Sequence, residues 1–163
     1  MAQAPKLMTI LGIDPGIARC GYAILEHKGS QTILLQSGCI TTKSGGSESL
    51  RLLEIKRDLE TIIRKFQPEA MSIESLFFIN NQKTAMHVGQ ARGVALLAAG
   101  ENHLRVIEVT PLQVKIAATG YGQADKKQVE TMIVKLLKLK KIPKPDDAAD
   151  ACAIAWAGIG RSI

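Results

Sequence analysis

Leu7 to Asp14, LMTILGID, is an apolar run rich in β-formers that stops at Pro15-Gly16, and it predicts a buried strand entering a turn. GYAILEH and QTILLQSGCITT follow, parted by KGS, and predict two further strands in an antiparallel meander with the first. Beyond the SGGSES turn, where Ser47 or Ser49 is the candidate N-cap, Leu50, Leu53, Ile55, Leu59, Ile62, Ile63 and Phe66 recur at helical spacing until Pro68. EAMSIES predicts a fourth strand, the stretch from about Asn81 to Gly100 a long helix, and RVIEV a fifth strand. Thr110-Pro111 caps and opens a short helix, Asp125 starts another that runs through Leu139, and PKPDDAADACAIAWAG supplies the last. The order βββαβαβααα, with no repeat or long linker, implies one α/β domain over residues 1–163. Its core is a five-stranded mixed sheet, a three-strand antiparallel meander plus two parallel strands, flanked by helices.

Composition narrows the class. A chain of 163 residues with 46% hydrophobic and 22% charged residues has the balance of a water-soluble globular protein. No run reaches the roughly 18 apolar residues of a bilayer span, and the start lacks the pattern of a secretory signal, so a cytoplasmic protein with no membrane role is expected. Cys20, Cys39 and Cys152 are odd in number and have no CxxC spacing, which argues against a disulfide framework or a structural zinc. A net charge of +6 favours a polyanionic partner, the more so if the acids gather in one place.

The acids do gather in the predicted topology. Asp14 closes the first strand and Glu74 the fourth, and parallel pairing of these strands would bring the two together at the edge where open α/β sheets bind ligands. The last helix must lie on the sheet through Ala151, Ile154, Ala155 and Gly158, and Asp147 and Asp150, three apart, share a face beside that surface. Each acid alone has a plain structural reading as a turn, strand-end or capping residue. Their convergence would leave uncompensated carboxylates that resist ionisation, and a hard divalent ion such as Mg²⁺ is the natural partner for them. Two such ions suit phosphodiester cleavage.

Five blocks in order carry a resemblance: GIDPG…GYAI from Gly12, IESLFFINN from Ile73, GQARGVAL from Gly89, ADKKQV from Ala124 and DAADACAIA from Asp147. Together they resemble the bacterial RuvC family of crossover (Holliday) junction endodeoxyribonucleases, although GIDPG alone also opens sugar-kinase and actin-like ATPases. The resemblance implies an RNase H-like fold and a homodimer. It also implies Mg²⁺-dependent symmetric nicking of a four-way DNA junction in recombination and repair, Mn²⁺ as a possible substitute, two ions per site and a branch-migration motor as partner. On this pattern Asp14, Glu74, Asp147 and Asp150 are the catalytic, metal-binding acids, and Asp146, outside the DAAD block, is left to capping. Ile17 and Cys20 stand where members often carry small hydroxyl residues, and the chain ends at Ile163 where many continue into a basic tail.

The same resemblance assigns Lys115 and Lys126 to DNA phosphates and Phe77 to stacking on an unpaired base; Lys127, beside Lys126, joins the DNA-binding set, and Phe78 is expected to turn inward. Lys138, Lys140, Lys141 and Lys144 read as complements to a helix C-terminus, and His87 as a boundary residue. Gly89 and Gly93 leave the long helix with small and apolar groups on more than one face, as a two-fold contact between copies would need. Three alternatives stay open: an RNase H-like nuclease acting on RNA, a junction-binding protein without catalysis, and a phosphate-binding ATPase domain. The last should show a second phosphate loop and a longer chain.

Overall fold

The computed structural model describes residues 7–75 and 82–162. Strands β1 (Leu7–Asp14), β2 (Arg19–Lys28) and β3 (Gln31–Thr41) form the expected meander; helix α1 (Glu48–Phe66), β4 (Ala70–Glu74), α2 (Gln82–Glu101) and β5 (Arg105–Val109) follow. Helices α3 (Pro111–Thr119), α4 (Lys126–Leu136) and α5 (Asp146–Gly160) complete the order. The sheet order is β3-β2-β1-β4-β5, antiparallel within the meander and parallel from β1 to β4 and from β4 to β5. No helix among the described residues is long and apolar enough to cross a membrane.

Strand periodicity divides the core in two. In β1, Met8 and Ile10 face a cluster with α3, α4 and α5, while Leu11 and Ile13 face a second cluster with α1 and α2. Both faces are covered, so β1 reads as continuous apolar sequence rather than an alternating one. Helix α5 lies closest to the sheet. A Cβ on Gly12 would come within 2.6 Å of Ala155 Cβ, and one on Gly158 within 2.5 Å of Ser72 Cβ. Ser72 Oγ, fully buried, donates to Ile154 O at 2.7 Å, so the single polar side chain at this contact is satisfied.

Helix ends follow local chemistry, with four departures from expectation. Thr110 and Asp125 each form a full capping box, with Gln113 and Gln128 respectively. Ser47 is the N-cap of α1, but its hydroxyl meets Ser49 Oγ at 2.7 Å instead of capping the helix. Leu50 and Leu53, expected on the core face of α1, are 64% and 39% exposed; the buried stripe begins at Ile55. Helix α4 ends at Leu136, not Leu139, because Lys138 adopts φ 53°; the apolar spacing persists because Leu137 still enters the core. Asp146 is not the cap of α5. That position belongs to Pro145, which has no side-chain cap, and Asp146 in the first turn bonds Lys144 Nζ at 2.9 Å, so Lys144 serves this N-terminus rather than a helix C-terminus.

Candidate active site: carboxylates at the edge between β1 and β4

Asp14 and Glu74 reach the same edge by register. Ile13 pairs with Ile73 in the parallel ladder, and each acid is the next residue of its strand. Glu74 is fixed from behind by Arg92 of α2, whose Nε donates to Glu74 O at 3.2 Å and whose guanidinium also pairs with Glu108 of β5. Asp147 and Asp150 come from the first turns of α5, which runs over β1 and β2 so closely that a Cβ on Gly21 would strike the Asp147 carbonyl. Gly21 is the antiparallel partner of Asp14. The three glycines Gly12, Gly21 and Gly158 thus set the approach of the helix that brings its acids to the strand ends.

Asp14, Glu74 and Asp150 line one cavity of about 320 Å³, with Lys115 of α3 and Lys126 of α4 on the same lining. Asp147 stands beside this cavity, near enough to Asp14 to act on its titration. Burial, then the charges of Asp150, Glu74 and Asp147, push the Asp14 carboxyl up from 3.8 to about 7; Lys126 partly opposes them. Glu74 is raised by burial and by Asp150. The four acids form one electrostatic unit of the kind a cation would stabilise.

Protein cations hold two of the four. Arg19 pairs with Asp147 at 2.5 Å, and Lys126 with Asp150 at 3.0 Å. The hydrogen bond to Asp150 raises the Lys126 pKa. No group of three His, Cys, Asp or Glu side chains among the described residues is arranged to hold a metal ion. The donor set nevertheless suits a hard divalent ion, since it is all carboxylate. The nearby thiol of Cys20 is pushed up to about 12, chiefly by burial, which keeps it protonated.

The sequence-predicted residues divide three ways. Asp14, Glu74, Asp147, Asp150, Lys115 and Lys126 come together at this edge. Lys127 does not: it lines a separate cavity with Tyr121. Phe77 and Phe78 lie outside the described residues. Sequence reasoning gave no role to Arg92, whose signal was a lone guanidinium in an otherwise small and apolar helix segment, or to Arg19, five residues after Asp14.

A mixed sheet of this order, with carboxylates from β1, β4 and the last helix gathered at one edge, defines an RNase H-like nuclease. The family described as "Crossover junction endodeoxyribonuclease RuvC", whose members depend on divalent metal, matches residues 10–157. The chain belongs to the RuvC family. It is 51% identical over 148 residues to the crossover junction endodeoxyribonuclease RuvC of Natranaerobius thermophilus, covering 91% of this chain and 92% of that one. The T. thermophilus RuvC in complex with Holliday junction substrate superposes with a TM-score of 0.89 at 35% identity, covering 95% of this chain and 96% of that chain. A yeast mitochondrial Holliday junction resolvase, at 16% identity and a TM-score of 0.66, covering 92% of this chain and 77% of that one, shares the fold.

Proposed function

We propose that this chain resolves four-way DNA junctions as a homodimer, each copy acting as one nuclease domain and nicking one of two opposed strands, in recombination and repair. The observation that carries the reading is the cavity at the β1/β4 edge, where Asp14, Glu74 and Asp150 share a lining with Lys115 and Lys126. Asp14, Glu74, Asp147 and Asp150 are the residues that would hold divalent ions, Mg²⁺ by preference, two per site, with Mn²⁺ able to substitute. Such ions, when bound, activate water and neutralise the leaving oxygen of a phosphodiester.

The chain's own groups do the rest. Partial burial of Asp14 and Glu74, together with their neighbouring acids, sharpens their demand for positive charge. Lys126, held near the acids by Asp150, and Lys115 on the same lining would offer two ammonium groups to an entering phosphate. Arg19 keeps Asp147 oriented until a competing cation arrives. A branch-migration motor is a further partner in this reading.

One assay tests it: the purified chain with labelled four-way junction, plain duplex and RNA–DNA hybrid, with and without Mg²⁺. Paired nicks confined to the junction, dependent on the ion and leaving 5′-phosphate and 3′-hydroxyl ends, are expected. Tight junction binding with no cutting in Mg²⁺ or Mn²⁺ would make the protein a binder only, and preferential cutting of the hybrid would make it an RNA-directed nuclease.

A further inference from the structure

Two adjacent lysines open α4 and serve different cavities. Lys126 lines the acid cavity and bonds Asp150, while Lys127 lines a second cavity of about 420 Å³ beside it. The first turn of α4 is the wall between them: Val129 belongs to the acid cavity, Gln128 and Thr131 to the other. Lys127 has no ion-pair partner among the described residues. Its charge is therefore not consumed by the fold.

Tyr121 shares the lining of this second cavity with Lys127 and is 59% exposed, in a chain with only 4% aromatic residues. The ring contributes little to the core, yet its backbone is held on every side. Gly120 turns left-handed at φ 75° to end α3, Tyr121 N donates to Thr119 Oγ at 3.0 Å, and Ala124 N donates to Tyr121 O at 3.1 Å. Ala124 and Met132 add apolar lining, and Thr131 adds a hydroxyl. Asp125 also borders the cavity, but one oxygen of its carboxylate is taken by the Gln128 N–H; its remaining charge repels phosphate from that side and leaves the Lys127 side open.

An aromatic face on a fixed turn, an apolar lining, a hydroxyl and one unspent cation match the parts of a nucleotide: base, sugar and phosphate. A cavity of about 420 Å³ is of the size of one nucleotide. The two cavities lie on different faces of the same helix start, with Lys126 on one lining and Lys127, the next residue, on the other. We infer that this second cavity receives one unstacked nucleotide of the DNA substrate, its base against Tyr121 and its phosphate at Lys127. The inference rests on the junction-resolving reading of the acid site and adds a subsite to it.

The test is junction affinity of the full chain in EDTA, by fluorescence anisotropy over a salt series, for wild type, Tyr121→Ala, Tyr121→Phe and Lys127→Ala. Tyr121→Ala weakens binding about tenfold without changing the salt slope, and Tyr121→Phe binds as wild type. Lys127→Ala lowers the slope of log affinity against log salt by about one. Thermal midpoints of all three variants stay near that of wild type, since both side chains are exposed. Binding by Tyr121→Ala and Lys127→Ala within twofold of wild type would overturn the subsite alone, as would an equal loss in Tyr121→Phe, which keeps the ring. Wild type that neither binds nor cuts a junction would overturn the acid-site reading instead.

Discussion

Asp14 carries the clearest conflict between stability and chemistry. Its carboxyl titrates at about 7 in the folded chain against 3.8 ordinarily, so between about pH 4 and 7 the folded state retains a proton that the unfolded state has released. Stability of the metal-free protein therefore falls as pH rises through that window, and the penalty is complete above it. Asp14→Asn removes the charge, and should stabilise the metal-free fold at pH 8 by on the order of 2–4 kcal/mol, with the difference vanishing near pH 4. Urea unfolding at both pH values measures this; equal stabilities at pH 8 would mean that neither burial nor the neighbouring acids raises Asp14 in solution. Asp147→Asn acts differently, because Asp147 is held by Arg19. Junction cutting should fall about a hundredfold or more, while affinity measured without metal holds or rises as Arg19 is freed toward phosphate. Loss of both affinity and folded signal would return Asp147 to a structural role.

At the scale of elements, the strands and the topology were legible because the signals were strong and local: apolar runs closed by Pro-Gly or Lys-Gly, and an order that admits few sheets. The convergence of Asp14 and Glu74 followed from strand ends alone. What was not legible depends on close approach. Nothing in the run DDAAD says which residue caps the helix, since that depends on where the chain leaves helical geometry, and Pro145 took the place given to Asp146. Leu50 and Leu53 fit the apolar period of α1 yet lie beyond the sheet's reach. Gly158 was legible as a packing residue of the last helix and the close contact with Ser72 bears that out, whereas Gly12 and Gly21, the contact points for α5 on the strands, were not. This makes a prediction. Gly21→Ala, opposite Asp14 in the ladder, pushes its methyl into the Asp147 carbonyl and should cost about 1–3 kcal/mol in stability, with weakened Mn²⁺ binding by calorimetry. Gly100→Ala, where an added Cβ meets nothing within 4 Å, should instead leave stability unchanged or raise it by up to about 1 kcal/mol. Equal effects of the two substitutions would show that α5 can shift without consequence.

At the scale of the whole molecule, α2 poses the remaining question, because it is apolar on two sides. Ala91, Ala95, Ala98 and Ala99 are buried against the sheet, while Met86, Gly93 and Leu97 follow one another at helical spacing along another face. Met86 and Leu97 are 59% and 52% exposed, and a Cβ on Gly93 would touch nothing within 4 Å. Leu50, on the neighbouring α1, adds a further exposed apolar group. A self-complementary contact between two copies would bury this surface and place two acid sites in two-fold relation, as a junction with two equivalent strands requires. Leu97→Glu should then raise the dimer dissociation constant by about a hundredfold or more, read by sedimentation velocity, with the circular dichroism spectrum unchanged. The consequence for function is specific. On a supercoiled plasmid bearing a cruciform, wild type should linearise the circle in one binding event, whereas Leu97→Glu should yield mainly nicked circles, since each copy keeps its acids but loses its partner. A wild-type chain that sediments as a monomer at tens of micromolar, or a Leu97→Glu variant that still linearises the plasmid at the wild-type rate, would place the two-fold contact elsewhere on the surface.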